Sequence, residues 1–395
     1  MSEADFNKVV NEFVEGQNKN IGKIVVAKVG GYPPQLEVGN YGNVFNEYIT
    51  TDLIRHHCEG IGERNPLFRD LDYAKNTIWG GIIAPATFTD TIACSWPYAG
   101  RSPKQSEVKF RMGGNLAGAR RELYKPIRPG DKFSVIDKYL GLDERKFREP
   151  RPYRLFIDTT QRSYTNQNGE AAAIVYCRQA VIATPMDAPQ QPPTPRQRRR
   201  LTDEERDAIN RGYDEETRRG AEVLYWEDVV VGEELKPLVV GPVTTWDVAA
   251  YFACLAGEPV AFALEWERFK LDLTSQMLDP EINAYKCGGE GHFADGLGMS
   301  IGATGGLGVA PGPLIDGVIG HSVHNWIGDY GWIKVLDTQY RNFPILQEVW
   351  HIKGKVTNKS TEGDEHLVDL ELRCENQDGL ILVPATATVR LPSQT

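Results

Sequence analysis

A chain of 395 residues, 41% apolar and 25% charged, holds material for two packed cores rather than one. Its formal charge of −10 argues against a nucleic-acid-binding surface, which needs clustered positive charge. No apolar run approaches the roughly 20 residues that span a bilayer, so no membrane segment is expected.

The start, "MSEADFNKVV", is acidic and has no apolar signal region. Cys58, Cys94, Cys177, Cys254, Cys287 and Cys374 are scattered without a CxxC pair. Together these features point to a reducing, cytoplasmic setting without a disulfide framework. From Phe45 to His57 apolar residues recur at helical spacing. "CEGIGERNPLFRDLDYA", Cys58 to Ala74, then crowds acid, base, amide and proline into one loop. The Gly-rich, apolar stretch "WGGIIAPATFTDTIACSW" reads as a buried helix. "YKPIRPGDKFSVIDKYLG" reads as a strand, and "YRLFIDTTQRSYTNQNGEAAAIVYCRQAVIATP" as a long hairpin hinged at "NQNG".

From Asp187 a Pro/Gln-rich piece cannot pack and should be extended. The run "RQRRR" reads as a solvated face. Thr202 then caps a charged helix from about Asp203 to Arg219, with Glu205 at capping-box spacing. Beyond it the pattern returns. "YWEDVVVGEELKPLVVGPVTTWDVAAYFACLAG" is a strand, a Gly turn and a helix capped by Thr245. After an insertion near 260–290, "PLIDGVIGHSVHNWIGDYG" is a second buried helix. "YRNFPILQEVWHIKGKVTNKS" and "HLVDLELRCENQDGLILVPATATVRLP" form a second strand and a hairpin hinged at "NQDG". Tyr124 matches Tyr340 and Asn166 matches Asn376 at nearly constant offset. We read residues 1–186 and 223–395 as two copies of one α+β module, joined by 187–222.

The stretch "NPLFRDLDYAKNTIWGGIIAPATF" resembles the FAS1-type branch of the MaoC-like dehydratases, and "YKPIRPGDKF" resembles the same family's Pro-Gly-Asp strand entry. The likeness covers roughly residues 10–185 by motif and 223–395 by layout. It implies a double hotdog, in which each of two antiparallel sheets wraps a central helix. Members of the family are (R)-specific enoyl-CoA hydratases or 3-hydroxyacyl-thioester dehydratases. Adding water to an unsaturated thioester needs a base, an acid and donors for the enolate oxygen. The family places those donors at the central helix, which here implies Gly80-Gly81 on one side and Gly317 on the other.

The family's acid–base motif is Gly-Asp-x-Asn-Pro-x-His. Set over "GERNPLFRD", Gly62, Asn65 and Pro66 match, but Glu63 stands for the Asp and Phe68 for the His. The first copy thus lacks an imidazole, and Asn65, Arg69 and Asp70 are expected to organise its loop. The second copy should then carry the reaction. His292, ahead of its Gly-rich helix entry, is the expected base, with Glu258 as its acid partner if the insertion loops out, and Asp316 a nearby acid. His321 and His324 read as hydrogen-bonded imidazoles of a buried helix, with His321 kept as a candidate substrate contact. A zinc site from His292, His321 and His324 lacks a fourth ligand, and no cofactor or metal is expected.

Three functions compete. The first is hydration or dehydration of a 2-enoyl/3-hydroxyacyl-CoA thioester with a bulky acyl group. The second is a non-catalytic, substrate-binding subunit completed by another hotdog chain that has the intact Asp/His pair; the partners expected are an acyl-CoA thioester and either a second hotdog subunit or further copies in a homo-oligomer. The third is a thioesterase using Glu63 or Asp316. Release of free thiol separates the third from the first.

Overall fold

The computed structural model describes residues 1–26, 46, 48–93, 108–148, 151–188, 196–254, 278–279, 283–285, 292–296 and 304–394. The N-terminal half opens with α1 (Glu3–Asn18), capped by Ser2, and β1 (Ile24–Val26). Next comes α2 (Thr51–Ile61), capped by the Thr50 side chain and closed at Gly62, whose φ of 74° suits a residue without a Cβ. Short helices α3 (Leu71–Lys75) and α4 (Thr89–Ile92) precede strands β2 (Arg111–Leu123), β3 (Phe133–Arg145), β4 (Arg154–Asn166) and β5 (Ala171–Thr184). The connecting segment carries α5 (Asp203–Asp214) with both hydrogen bonds of the Thr202/Glu205 capping box. The C-terminal half holds β6 (Leu238–Val240), α6 (Thr245–Cys254), β7 (Leu278–Asp279), β8 (Ala284–Tyr285), α7 (Gly312–Ile327), β9 (Trp332–Gln339), β10 (Trp350–Glu362), β11 (Glu365–Asn376) and β12 (Ile381–Leu391).

Ten strands form one antiparallel sheet in the order β1-β3-β4-β5-β2-β9-β12-β11-β10-β6. Its midline is the seam β2–β9, so each half closes the other's open edge. At that seam Gly118 has φ 129°, and a Cβ there would lie 2.0 Å from the Thr338 carbonyl oxygen, so the bulge admits only glycine. The two long hairpins turn alike. The Asn166 carboxamide oxygen accepts from the N–H groups of Asn168 and Glu170, and Asn376 does the same for Asp378 and Leu380. Helix α7 is buried from Pro313 to Val323 and lies against β2 and β9–β12. An antiparallel sheet packed on buried helix α7, with the matching central segment of the N-terminal half described as the short helix α4, is the α+β double hotdog that the family resemblance implied.

One difference concerns the connecting segment. The helix predicted to reach Arg219 ends at Asp214, because the chain turns inward against α7. Arg219 donates from its backbone N–H to the Asn325 carbonyl and from Nε to the Trp326 carbonyl (3.0 and 2.7 Å). Those bonds satisfy carbonyls at the C-terminal end of α7 that its own ladder leaves open.

The halves are also locked by buried charge. Ala84-Pro85-Ala86-Thr87-Phe88-Thr89-Asp90 and Ala310-Pro311-Gly312-Pro313-Leu314-Ile315-Asp316 are matching stretches, and both aspartates reach one guanidinium. Arg121 of β2 donates to Asp90 (2.7 Å) and to Asp316 (2.8 Å), and all three side chains are at most 2% exposed. The Tyr340 hydroxyl donates to Asp316 as well (2.8 Å). Burial raises both carboxyls above the usual carboxylate range in spite of Arg121.

Two predictions follow from packing and charge. Where α2 crosses α7, a Cβ on Gly317 would stand 2.4 Å from Ile61 Cγ2. Gly317→Ala should therefore cost about 1–3 kcal/mol in urea unfolding, the usual penalty of overpacking a tight core. Asp158 faces the buried side of β4, where burial pushes its carboxyl up to about 7 from an ordinary value near 4. The folded state then binds this proton more tightly than the unfolded chain. Its stabilisation is complete below about pH 4 and is lost as pH rises through about 7, a change of a few kcal/mol. Asp158→Asn should flatten that part of the pH–stability curve and unfold at higher urea than wild type at pH 8.

Candidate active site

The loop after α2 is built by its own polar residues. The Asn65 N–H donates to Glu63 Oε1 (2.8 Å), the Leu67 N–H donates to Asn65 Oδ1 (2.9 Å), and Asp70 caps α3. Asn65 and Asp70 thus do organise this loop. The loop also reaches across the molecule. Asn65 Nδ2 donates to Asp329 Oδ1 at 2.8 Å, and the Tyr73 hydroxyl donates to Asp329 Oδ2 at 2.5 Å. The turn after α7 is therefore docked into the N-terminal half, and Asp329 is fully buried.

That docking places α7 beside Glu63. Glu63, with no solvent exposure, holds His324 Nδ1 at 3.2 Å through Oε2. The Phe68 ring, at the position where the family motif has its histidine, lies 4.9 Å from the His324 ring. An imidazole from the C-terminal half therefore stands next to the gap left by Phe68. One turn back on α7, His321 is 3% exposed and meets Glu216 of the connecting segment, with Nε2 at 2.9 Å from Oε1. Asn325 Nδ2 donates to the same oxygen at 3.0 Å.

Electrostatics settles which groups are charged. Burial by itself would raise the Glu63 carboxyl, but the His321 charge, the His324 hydrogen bond and the Asn65 N–H outweigh it and hold Glu63 below the usual carboxylate range. Burial would likewise lower His321, yet the carboxylates of Glu63 and Glu216 raise it. Glu216 is itself drawn down to about 2, against its burial, by the His321 hydrogen bond and charge. An ionised Glu63 can only accept, so the proton between it and His324 resides on His324 Nδ1, leaving Nε2 as the basic nitrogen. His57 of α2 is a different kind of histidine. Burial and the Arg121 charge push it down to about 3, and its nitrogens bond the hydroxyls of Thr91 and Thr87.

His324 also lines a narrow cavity of about 20 Å³, room for about one water. Its wall is mainly apolar, with Leu67, Phe68, Ile83, Leu123, Trp332 and Ile333 facing the space, and Ala84 and Ala86 lining it at the start of the N-terminal half's central segment. Asn65 supplies a polar group at the same wall. Polar groups converging on an apolar wall are the usual form of a ligand site, and a substrate would have to widen this one to enter.

The other candidates lie elsewhere. Glu258 falls outside the described residues. His292 bonds the Val309 carbonyl through Nδ1 (2.8 Å), packs on Phe252 at 5.4 Å, and is lowered by burial. Asp316 Oδ2 accepts from both Arg121 and Tyr340, which ties this side chain to the seam rather than to the His324 cavity. Gly317 sits a full turn inside α7, where its missing side chain admits Ile61. Gly81 has open space around it, with Arg128 Nη1 no closer than 4.0 Å to a built Cβ. Asn65, Glu63 and His321 are the sequence candidates that the structure gathers around one point. His324 and Glu216 were missed as members of this cluster. The His321/His324 spacing of three on a buried helix was the signal for the first, and nothing in the linker marked the second.

Comparisons with known proteins agree with this architecture. A family model described as "FAS1-like, dehydratase domain region" matches residues 38–175. A UPF0336 protein from Streptomyces avermitilis is 27% identical over 88 residues, a match that takes in 22% of this chain and 57% of that relative's length. Among solved structures, one described as a MaoC-like dehydratase superposes with a TM-score of 0.57 at 15% identity, covering 95% of this chain and 99% of the other. A MaoC domain protein from Chloroflexus aurantiacus, described as a dehydratase, gives a TM-score of 0.53 at 11% identity, over 95% and 96% of the two chains. No helix among the described residues is long and apolar enough to cross a membrane. Residues 38–175 are thus similar to a FAS1-like dehydratase region, and the chain as a whole has the double hotdog fold of solved structures described as MaoC-like dehydratases.

Proposed function

We propose that the protein is a hydro-lyase that adds water to, or removes it from, an α,β-unsaturated/3-hydroxyacyl-CoA thioester at the Glu63–His324 pair. The observation that carries this reading is a buried, ionised carboxylate holding the imidazole on the wall of an apolar cavity. In the hydration direction, water oxygen bonds to C3 while His324 Nε2 takes one of its protons. The C2–C3 electron pair moves toward the thioester oxygen, and the imidazolium then returns its proton to C2, so that one water is added overall. Glu63 stays ionised, fixes the ring and stabilises the transient imidazolium, as a carboxylate does in other carboxylate–histidine pairs. We assign the Ala86 amide, on the cavity wall beside Pro85, as donor to the enolate oxygen. The apolar end of the acyl group lies toward Trp332, whose ring packs against Trp79 at 5.4 Å with the planes tilted by 45°.

The test is a panel of 2-enoyl-CoA thioesters, from short aliphatic to polycyclic, with conjugated enoyl absorbance and free thiol followed together. Absorbance should fall without thiol release. His324→Gln should reduce kcat about 10²–10⁴-fold, the range for loss of a general acid–base group, whereas His292→Gln should stay within a few-fold of wild type. Thiol release would make the protein a thioesterase, and silence over the panel a substrate-binding subunit. An inactive His292→Gln beside an active His324→Gln would move the chemistry to the other histidine.

A further inference from the structure

The cluster contains one more carboxylate than the chemistry uses. Glu216 comes from the segment that joins the halves, not from either sheet, and it is turned inward to His321 and Asn325. His321 has Nε2 on Glu216, while its Nδ1 is buried with no hydrogen-bond partner among the described residues. The ring is thus in contact with Glu216, while Glu63 holds His324 one turn further along the same helix and so lies within electrostatic reach of His321. A fully buried Glu63 keeps its charge only if positive charge compensates it nearby, because an isolated buried carboxylate takes up a proton instead.

We propose that Glu216 is a positioning residue for the reaction: acting through His321, the linker carboxylate holds Glu63 in the charged state that orients His324. The inference rests on the Glu63–His324 reading of the site. Its logic is a charge count. With Glu216 ionised, a proton on His321 is favoured and compensates the negative charge of Glu63. Without the Glu216 charge, His321 sheds its proton, Glu63 loses its counter-charge and takes up a proton, and a protonated carboxyl no longer accepts from His324 Nδ1. The charged and titratable groups facing this cluster are Glu63 from the loop after α2, His57 and Cys58 from α2, Tyr213 from α5, Glu216 and Arg218 from the connecting segment, and His324 on α7 itself. Arg218 opposes the charge on His321, so Glu216 has that repulsion to overcome as well. The joining segment is in this view part of the site, and a hotdog pair lacking it would hold the same Glu63 in the wrong protonation state.

The test compares Glu216→Gln and Glu216→Asp in the full chain by two independent readouts. The first is the pH dependence of kcat/KM on the best thioester of the panel. Glu216→Gln should lower kcat about 10–100-fold with KM within about three-fold. Its acid limb should move up by about one pH unit, and Glu216→Asp should restore much of both. The second is an NMR titration of carbon-13-labelled histidine and glutamate side chains. His321 should be charged at pH 7 in wild type and neutral in Glu216→Gln, with the Glu63 carboxyl titrating at higher pH in the variant. A fall in kcat with an unmoved acid limb would make Glu216 merely structural and overturn the inference. So would an unchanged His321 titration. If wild type is inert on every thioester, the proposed function fails, yet the His321 and Glu63 titrations still decide whether Glu216 sets their charge.

Discussion

A single guanidinium sets the relation between the halves. Arg121 leaves the seam strand β2 and meets Asp90 from one central segment and Asp316 from the other, at matched positions in the repeat. Buried without partners, each of these groups would cost several kcal/mol; together, with the Tyr340 hydroxyl, they compensate one another's charge in a single geometry, with Arg121 Nε and Asp316 Oδ1 left without a hydrogen-bond partner among the described residues. Such a network adds little net stability over an apolar core, but it tolerates no slippage. It pins the first turns of α7 against the N-terminal half. His324 lies eight residues further along the same helix, about 12 Å at 1.5 Å per residue. The Asn65–Asp329 bond holds the far end of that helix. Between these two fixed points the imidazole has no choice but to face Glu63.

This arrangement explains how a motif can lose its histidine and keep a site. "GERNPLFRD" retains the acid and the loop-forming Asn-Pro, while Phe68 fills the histidine's place with an apolar ring. In a fused pair, unlike a symmetric dimer, each half is free to change alone. The C-terminal half has histidines on its central helix, and the matching part of the N-terminal half, "TFTDTIACSW", has none. In the proposed site the motif contained in one loop has become a pair contributed by two halves, with the connecting segment adding a second carboxylate.

Much of the fold was legible because it rests on local chemistry. The Asn-Gln-Asn-Gly and Asn-Gln-Asp-Gly hinges turn through side-chain bonds from Asn166 and Asn376 to residues two and four positions on, a pattern visible in four letters. The capping box at Thr202 is equally local. The site was not local. Glu63 and His324 are 261 residues apart, and the reading by motif looked for both partners within one half. It therefore assigned the chemistry to His292, whose Nδ1 is taken by the Val309 carbonyl, and to Glu258. It also took Gly317 for a ligand-facing glycine, since a glycine that admits a ligand and one that admits Ile61 look alike in one dimension. The end of α5 was overrun for a related reason: Glu216 and Arg219 suit a helix, but their tertiary bonds to α7 win.

The central claim is that Glu63 and His324, from opposite halves, act as one unit. A double-mutant cycle in kcat/KM tests it most directly, with Glu63→Gln, His324→Gln and the two combined, all checked for intact folding. If the pair is one device, the double variant should lose no more than about the worse single variant, because either change alone already disables it. Independent losses that multiply in the double variant would contradict the account.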